Sequence, residues 1–160
     1  MIVSNTSPLI AFGKLGRIDI LIKYGKTIII PEAVYAEITE KKGTPEALTI
    51  AALVEDKSII IEKTNVHPLL ATDKIGQGEK EAISLAYKYR SKLIIDDAIA
   101  RTYAALLKVE TKGSIAVLFK AKYKKIITRD EAKNILDSMI SHGFYISTEL
   151  YGDFLKQLHE

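Results

Sequence analysis

Four short, β-branched apolar runs, at Met1 to Val3, Thr27 to Ile30, Ser58 to Ile61 and Lys92 to Ile95, are separated by longer stretches with helical spacing. Strands unbroken in hydrophobicity need cover on both faces, which a parallel sheet obtains from its own crossover helices. The order reads β, α, α, β, α, α, β, α, β, α. It predicts an α/β fold: a three-layer α/β/α sandwich with a central parallel sheet and right-handed crossovers. A length of 160 residues fits one domain, 1–160, with a sizeable core.

Local signals place the helices. Ser7 before Pro8 reads as an N-cap, and Pro31 opens a helix carrying Val34, Glu37 and Ile38. From Glu79 onward, Ala82, Ile83, Leu85, Ala86 and Tyr89 form an apolar stripe. Thr128 to Ser141 is expected to be helical, with His142-Gly143 as its stop and a short strand, Phe144 to Ile146, after it. Thr148 to His159 reads as a terminal helix whose apolar side packs on its own domain or on a second subunit. Lys41 to Pro45 and Lys63 to Asp73 read as loops.

Composition removes several chemistries. The chain has no cysteine, hence no disulfide, thiolate zinc site or cysteine nucleophile, in keeping with a reducing cytosol. No apolar run approaches the roughly 18 residues needed to span a bilayer. The N-terminus reads into a strand rather than a signal segment. A soluble, cytoplasmic protein with no membrane partner is expected. The net charge of +3, from 23 basic and 20 acidic residues, is too balanced to argue for nucleic-acid binding by itself. His67, His142 and His159 lack the spacing of a zinc hydrolase, and no Gly-rich phosphate loop is present. A phosphoacceptor receiver domain expects an acidic pair after the first strand, where this chain has Asn5.

Asn5, Glu37, Glu79 and Asp97 each fall where a strand hands over to a helix, and in an open parallel sheet those places converge on one crevice. Hard oxygen donors gathered there suit magnesium or manganese, which can activate water and offset the charge of a phosphodiester transition state. Each residue also has a plainer role. Glu37 fits a solvated helix face, and Glu79 a charge favourably placed at a helix N-terminus. Glu81, two residues on, points elsewhere. Asp97 fits an N-cap, and Asn5 a turn residue. The adjacent Asp96 and Asp97 repel each other unless a cation or basic side chain intervenes, which favours the metal reading.

Five segments carry a resemblance: S-N-T-S-P-L-I at Ser4 to Ile10, P-E-A-V-Y-A-E at Pro31 to Glu37, G-Q-G-E-K-E-A-I at Gly76 to Ile83, I-I-D-D-A-I-A-R at Ile94 to Arg101, and K-G-S-I-A-V-L-F-K-A-K at Lys112 to Lys122, with H-G-F-Y-I-S at His142 to Ser147 matching as well. In that order and spacing, nearly the whole chain resembles the PIN-domain family, and more closely a subgroup of PIN-like proteins. The resemblance implies an α/β/α sandwich and an acidic magnesium or manganese site. It also implies ribonuclease activity, including that of the toxins of toxin–antitoxin pairs. It assigns the four acidic positions to Asn5, Glu37, Glu79 and Asp97, with Asp96 as a further ligand candidate. Asn5 departs from the aspartate usual at the first position. Homodimers and a small antitoxin partner are further expectations from the same resemblance.

An RNA substrate needs cationic or hydrogen-bonding groups around the acids. Thr6, Ser7, Arg101, Lys112 and Ser114 are the candidates, although Ser114 also suits an N-cap. The run Lys120 to Arg129 offers a basic strip or a merely solvated helix end. Tyr35 and Tyr103 suit base stacking or core packing. The leading expectation is a metal-dependent endoribonuclease. The alternative is a catalytically degenerate PIN-like module that binds RNA or protein.

Overall fold

The computed structural model describes residues 1–159. Its elements are β1 (Ile2–Ser4), α1 (Thr6–Lys14), α2 (Ile18–Gly25), β2 (Ile28–Pro31), α3 (Glu32–Thr39), α4 (Pro45–Glu55), β3 (Ile59–Glu62), α5 (Gln77–Tyr89), β4 (Leu93–Ile94), α6 (Ala98–Leu106), β5 (Thr111–Lys112), α7 (Ser114–Tyr123), α8 (Arg129–Ser141) and α9 (Thr148–Leu158). A single 3₁₀ turn, Pro68–Leu70, precedes α5. The strands form one parallel sheet of five in the order β3-β2-β1-β4-β5.

Strand residues alternate between two apolar layers. Ile2, Ile28, Ile30 and Ile94 join Leu9, Phe12, Leu21, Val117 and Leu136 on one side. Val3, Ile29, Leu93 and Ile95 join Ala82, Leu85, Ala100 and Ala104 on the other. Both faces are therefore covered, α5 and α6 forming the second layer, and the expected three-layer α/β sandwich is the observed one.

Three local expectations change. The fifth strand, β5, was not anticipated: it has two residues and half-buried Thr111 and Lys112, so no apolar run announces it. It exists because Leu93 and Ile94 pair with it. Phe144 to Ile146 is not a strand. Its alternation is real, since Phe144 and Ile146 pack on the core while Tyr145 faces outward, but the segment pairs with no strand. Ser7 is not the cap of α1, which begins at Thr6 with Asn5 as N-cap. Pro8 then sits third in the helix, where its missing N–H removes no intrahelical bond.

The terminal helix α9 docks on its own core. Phe154 and Leu158 are buried, the Phe119 and Phe154 ring centroids are 4.8 Å apart, and the Tyr151 hydroxyl donates to Asp137 Oδ1 at 2.6 Å. Among the described residues no helix is long and apolar enough to cross a membrane.

Helix α2 ends against β1 without room for a side chain. A Cβ on Gly25 would lie 2.3 Å from Ile2 Cγ1 and 2.5 Å from its Cδ1. Gly25→Ala is therefore expected to cost about 1–3 kcal/mol in urea unfolding through overpacking, outweighing any gain in helix propensity. An unchanged or higher unfolding midpoint would show that β1 is not clamped this way.

Candidate active site

The strand ends and the helices leaving them surround an open cleft of about 740 Å³. Asn5, Thr6, Ser7, Glu37, Glu79, Asp96 and Asp97 all line it. Arg101, Lys112 and Ser114 do not.

Asn5 leaves β1 at its carboxyl end and is 5% exposed. Its backbone N–H donates to Ile94 O at 3.2 Å, tying it to β4. An N-cap asparagine usually accepts from the second or third N–H of its helix. Here the third residue is Pro8, which has no N–H, and the Asn5 side chain makes no capping bond. Its Oδ1 is buried and has no hydrogen-bond partner.

Glu79 stands in the first turn of α5. Its Oε1 accepts from the Gly76 N–H at 3.2 Å, while its Oε2 is buried without a partner. Burial holds the Glu79 carboxyl above its ordinary value of 4.5; the Gly76 hydrogen bond opposes this, and the nearby charges of Asp97 and Glu37 raise it further. Two orphaned oxygens in one cleft, with carboxylates at their sides, form an arrangement that a positive charge would satisfy.

Glu37 is exposed on α3 and accepts a hydrogen bond from the Thr6 hydroxyl. The position of α3 is fixed by Glu81, whose Oε1 accepts from the Ala33 N–H at 3.3 Å and whose Oε2 accepts from Gln77 Nε2 at 2.8 Å. Glu79 and Glu81 thus divide as their spacing requires. One faces the cleft and the other joins α5 to the start of α3.

The two adjacent aspartates also divide. Asp97 caps α6, its Oδ1 accepting from the Ala100 N–H at 2.8 Å, which leaves Oδ2 for another partner. Asp96 has both oxygens engaged by Ser114, through its N–H and its hydroxyl, each at 2.7 Å. Burial raises the Asp96 carboxyl above its ordinary value, and the Ser114 bonds and the Arg101 guanidinium oppose that rise. Asp96 thereby anchors the N-terminus of α7, where Ser114 is the first helical residue and Gly113 the cap.

The basic candidates are placed outside the cleft. Arg101 Nε donates to Thr111 Oγ1 at 3.3 Å, and Lys112 Nζ lies 3.6 Å from Glu110 Oε1. Tyr35 and Tyr103 are half-buried and pack on the two core layers. Sequence reasoning missed Lys14, His142 and Tyr145 as cleft residues. Lys14 ends α1, where a lysine reads as an ordinary solvated charge in the last turn; His142 reads as the stop of α8, and Tyr145 lies in the segment expected to be a strand.

Among the described residues no three His, Cys, Asp or Glu side chains form a ready-made metal cage. The donor chemistry nevertheless fits a hard divalent cation: unpaired oxygens of Asn5 and Glu79, the free Oδ2 of Asp97, and the Glu37 carboxylate.

Solved structures offer two likenesses. A PilT N-terminus domain protein from the hyperthermophilic archaeon Sulfolobus solfataricus is 22% identical over 92% of this chain and 100% of its own, with a TM-score of 0.49. A domain of a functionally unknown protein from Methanocaldococcus jannaschii is 24% identical over 70% of this chain and 89% of its own, with a TM-score of 0.45. None of the curated proteins compared with it matches the chain. The family model described as DUF3368, PIN domain, matches residues 1–160, and the protein therefore belongs to the PIN-domain family, whose members are generally nucleases.

Proposed function

We propose that the protein is a metal-dependent endoribonuclease. The observation that carries this reading is the pair of buried, unpartnered oxygens, Asn5 Oδ1 and Glu79 Oε2, in a cleft shared with Glu37 and Asp97. A bound magnesium or manganese ion supplies positive charge for the phosphate and acidifies the attacking water. Asn5, Glu79 and Asp97 would hold it. Glu37, fixed by the Thr6 hydroxyl, orients water at the edge of the cleft. Water releases a proton to solvent as its oxygen bonds to phosphorus, the bond from phosphorus to the 3′ oxygen breaks, and that oxygen takes up a proton from solvent, leaving a 5′-phosphate and a 3′-hydroxyl.

A second reading, an inactive module that binds RNA or protein, draws on Asn5 itself. The amide contributes no charge, so the cleft holds one negative charge fewer than an aspartate there would give. Restoring Asn5→Asp separates the two: a degenerate site gains cation affinity, whereas an adapted one changes little.

Asp97→Asn is a cleaner test than alanine, because asparagine keeps an oxygen for the Ala100 N–H and so preserves the cap. Its expected outcome is loss of manganese-dependent RNA cleavage by at least about a hundredfold with an unaltered unfolding midpoint. Undiminished cleavage would remove Asp97 from the site.

The Glu79 shift has a sign that can be measured. A carboxyl raised by burial favours folding while protonated, and that contribution is lost as pH rises through its elevated value. The cation-free protein is expected to lose thermal stability from pH 4.5 towards neutrality, and manganese to restore it. Cation affinity correspondingly falls on acidification. Glu79→Gln should flatten both dependences; an unchanged pH profile in that variant would assign them to another group.

A further inference from the structure

We propose that Tyr145 is a stacking platform for an unpaired nucleobase, placed to hold one base of a single RNA strand beside the acidic centre; the inference rests on the cleft being a phosphodiester site. Tyr145 is 87% exposed, the most exposed of the large hydrophobic side chains among the described residues. Aromatic rings bury more surface than any other side chain and are ordinarily packed. This one is presented outward from a segment that is itself held.

The holding is specific. Gly143 turns the chain at the end of α8 with φ +97, and its N–H donates to Ile140 O at 3.0 Å. The Phe144 N–H donates to Met139 O at 2.9 Å. Phe144 and Ile146 on either side pack on the core, and Ser147 caps α9 by accepting from the Leu150 N–H at 3.1 Å. Tyr145 is thus fixed in position while its ring stays free, a low-entropy way to offer contact area.

Its surroundings match a nucleotide. Tyr145 lines the same cleft as Asn5, Glu79 and Asp97, together with Lys14 and His142. Lys14 is exposed and makes no salt bridge among the described residues, so it can face a backbone phosphate that the acids alone would repel. A base inside a duplex already has both faces stacked, whereas an unpaired base has a face to give. The cleft therefore selects strands that are single at the bound position.

The chain contains no tryptophan, so Tyr145→Trp places a lone fluorescent reporter at the site. Titration in chelator, where no cleavage occurs, uses a short single-stranded oligoribonucleotide, the same strand as a perfect duplex, and the strand with abasic positions. Emission is expected to be quenched by the intact single strand and little by the other two. Tyr145→Ala should bind and capture the single strand roughly five- to a hundredfold more weakly, seen in KM rather than kcat, with Tyr145→Phe like the parent protein. Unchanged emission while a strand is bound or cleaved, or equal binding of abasic and intact strands, would overturn the stacking role and leave the nuclease reading standing. A parent protein that neither binds nor cleaves any strand would overturn both.

Discussion

Strand β1 has a hydrogen-bonded neighbour on each side, and the direction of the chain reverses around it. Ile2 and Val3 pair with Ile28 and Ile29, while Val3 and Ser4 pair with Leu93 and Ile94. From β1 the chain winds outward through β2 and β3, then crosses back to build β4 and β5 on the opposite flank. Helix α1 consequently leaves towards one layer, with Leu9 and Phe12, and α6 towards the other, with Ala100 and Ala104. The divergence opens a crevice at the strand ends, the place where open α/β sheets bind ligands. Asn5 and Asp97 stand at its two sides because they are the residues on which those helices begin.

Once the crevice exists, its electrostatics follow from what the backbone leaves unpaired. Pro8 removes one of the two N–H groups an N-cap side chain can use, Asn5 makes no bond to the other, and α5 uses only one oxygen of Glu79. The second Glu79 oxygen is desolvated beside two further carboxylates, so burial and those charges hold its carboxyl above its ordinary value, and a cation would offset both. Asp96 shows the contrast. It is equally close to the strand end, yet both its oxygens are taken by Ser114, and its role is to fix α7. Both aspartates line the cleft and both anchor a helix, but Asp96 gives its two oxygens to Ser114 whereas Asp97 keeps Oδ2 free.

The layers and most helices were legible because burial on both faces leaves uninterrupted apolar runs, and helices covering them need a stripe. Strand β5 was not legible: Thr111 and Lys112 are held by pairing to β4, a long-range effect with no local pattern. Phe144 to Ile146 misled for the opposite reason. Alternating burial is necessary for a half-covered strand but not sufficient, and without a neighbour the same alternation describes a pinned loop. At the site, the positions of the four donors could be read from strand-to-helix transitions. Which oxygens remain unpaired could not, because that depends on partners distant in sequence, such as Ser114 for Asp96 and Thr6 for Glu37. Lys14 and Tyr145 became visible only when α1 and the α8–α9 connection were seen to share one cleft.

As proposed, Asn5, Glu79 and Asp97 constitute a single cation site at the carboxyl edge of the sheet. Paramagnetic broadening of backbone amide resonances by substoichiometric manganese tests it without requiring turnover or a known substrate. Signals at Thr6, Gly78 and Ala98 are expected to be lost early and selectively, with Lys120 to Lys125 unaffected until much higher concentrations. Broadening centred elsewhere, or spread evenly over the surface acids, would contradict it.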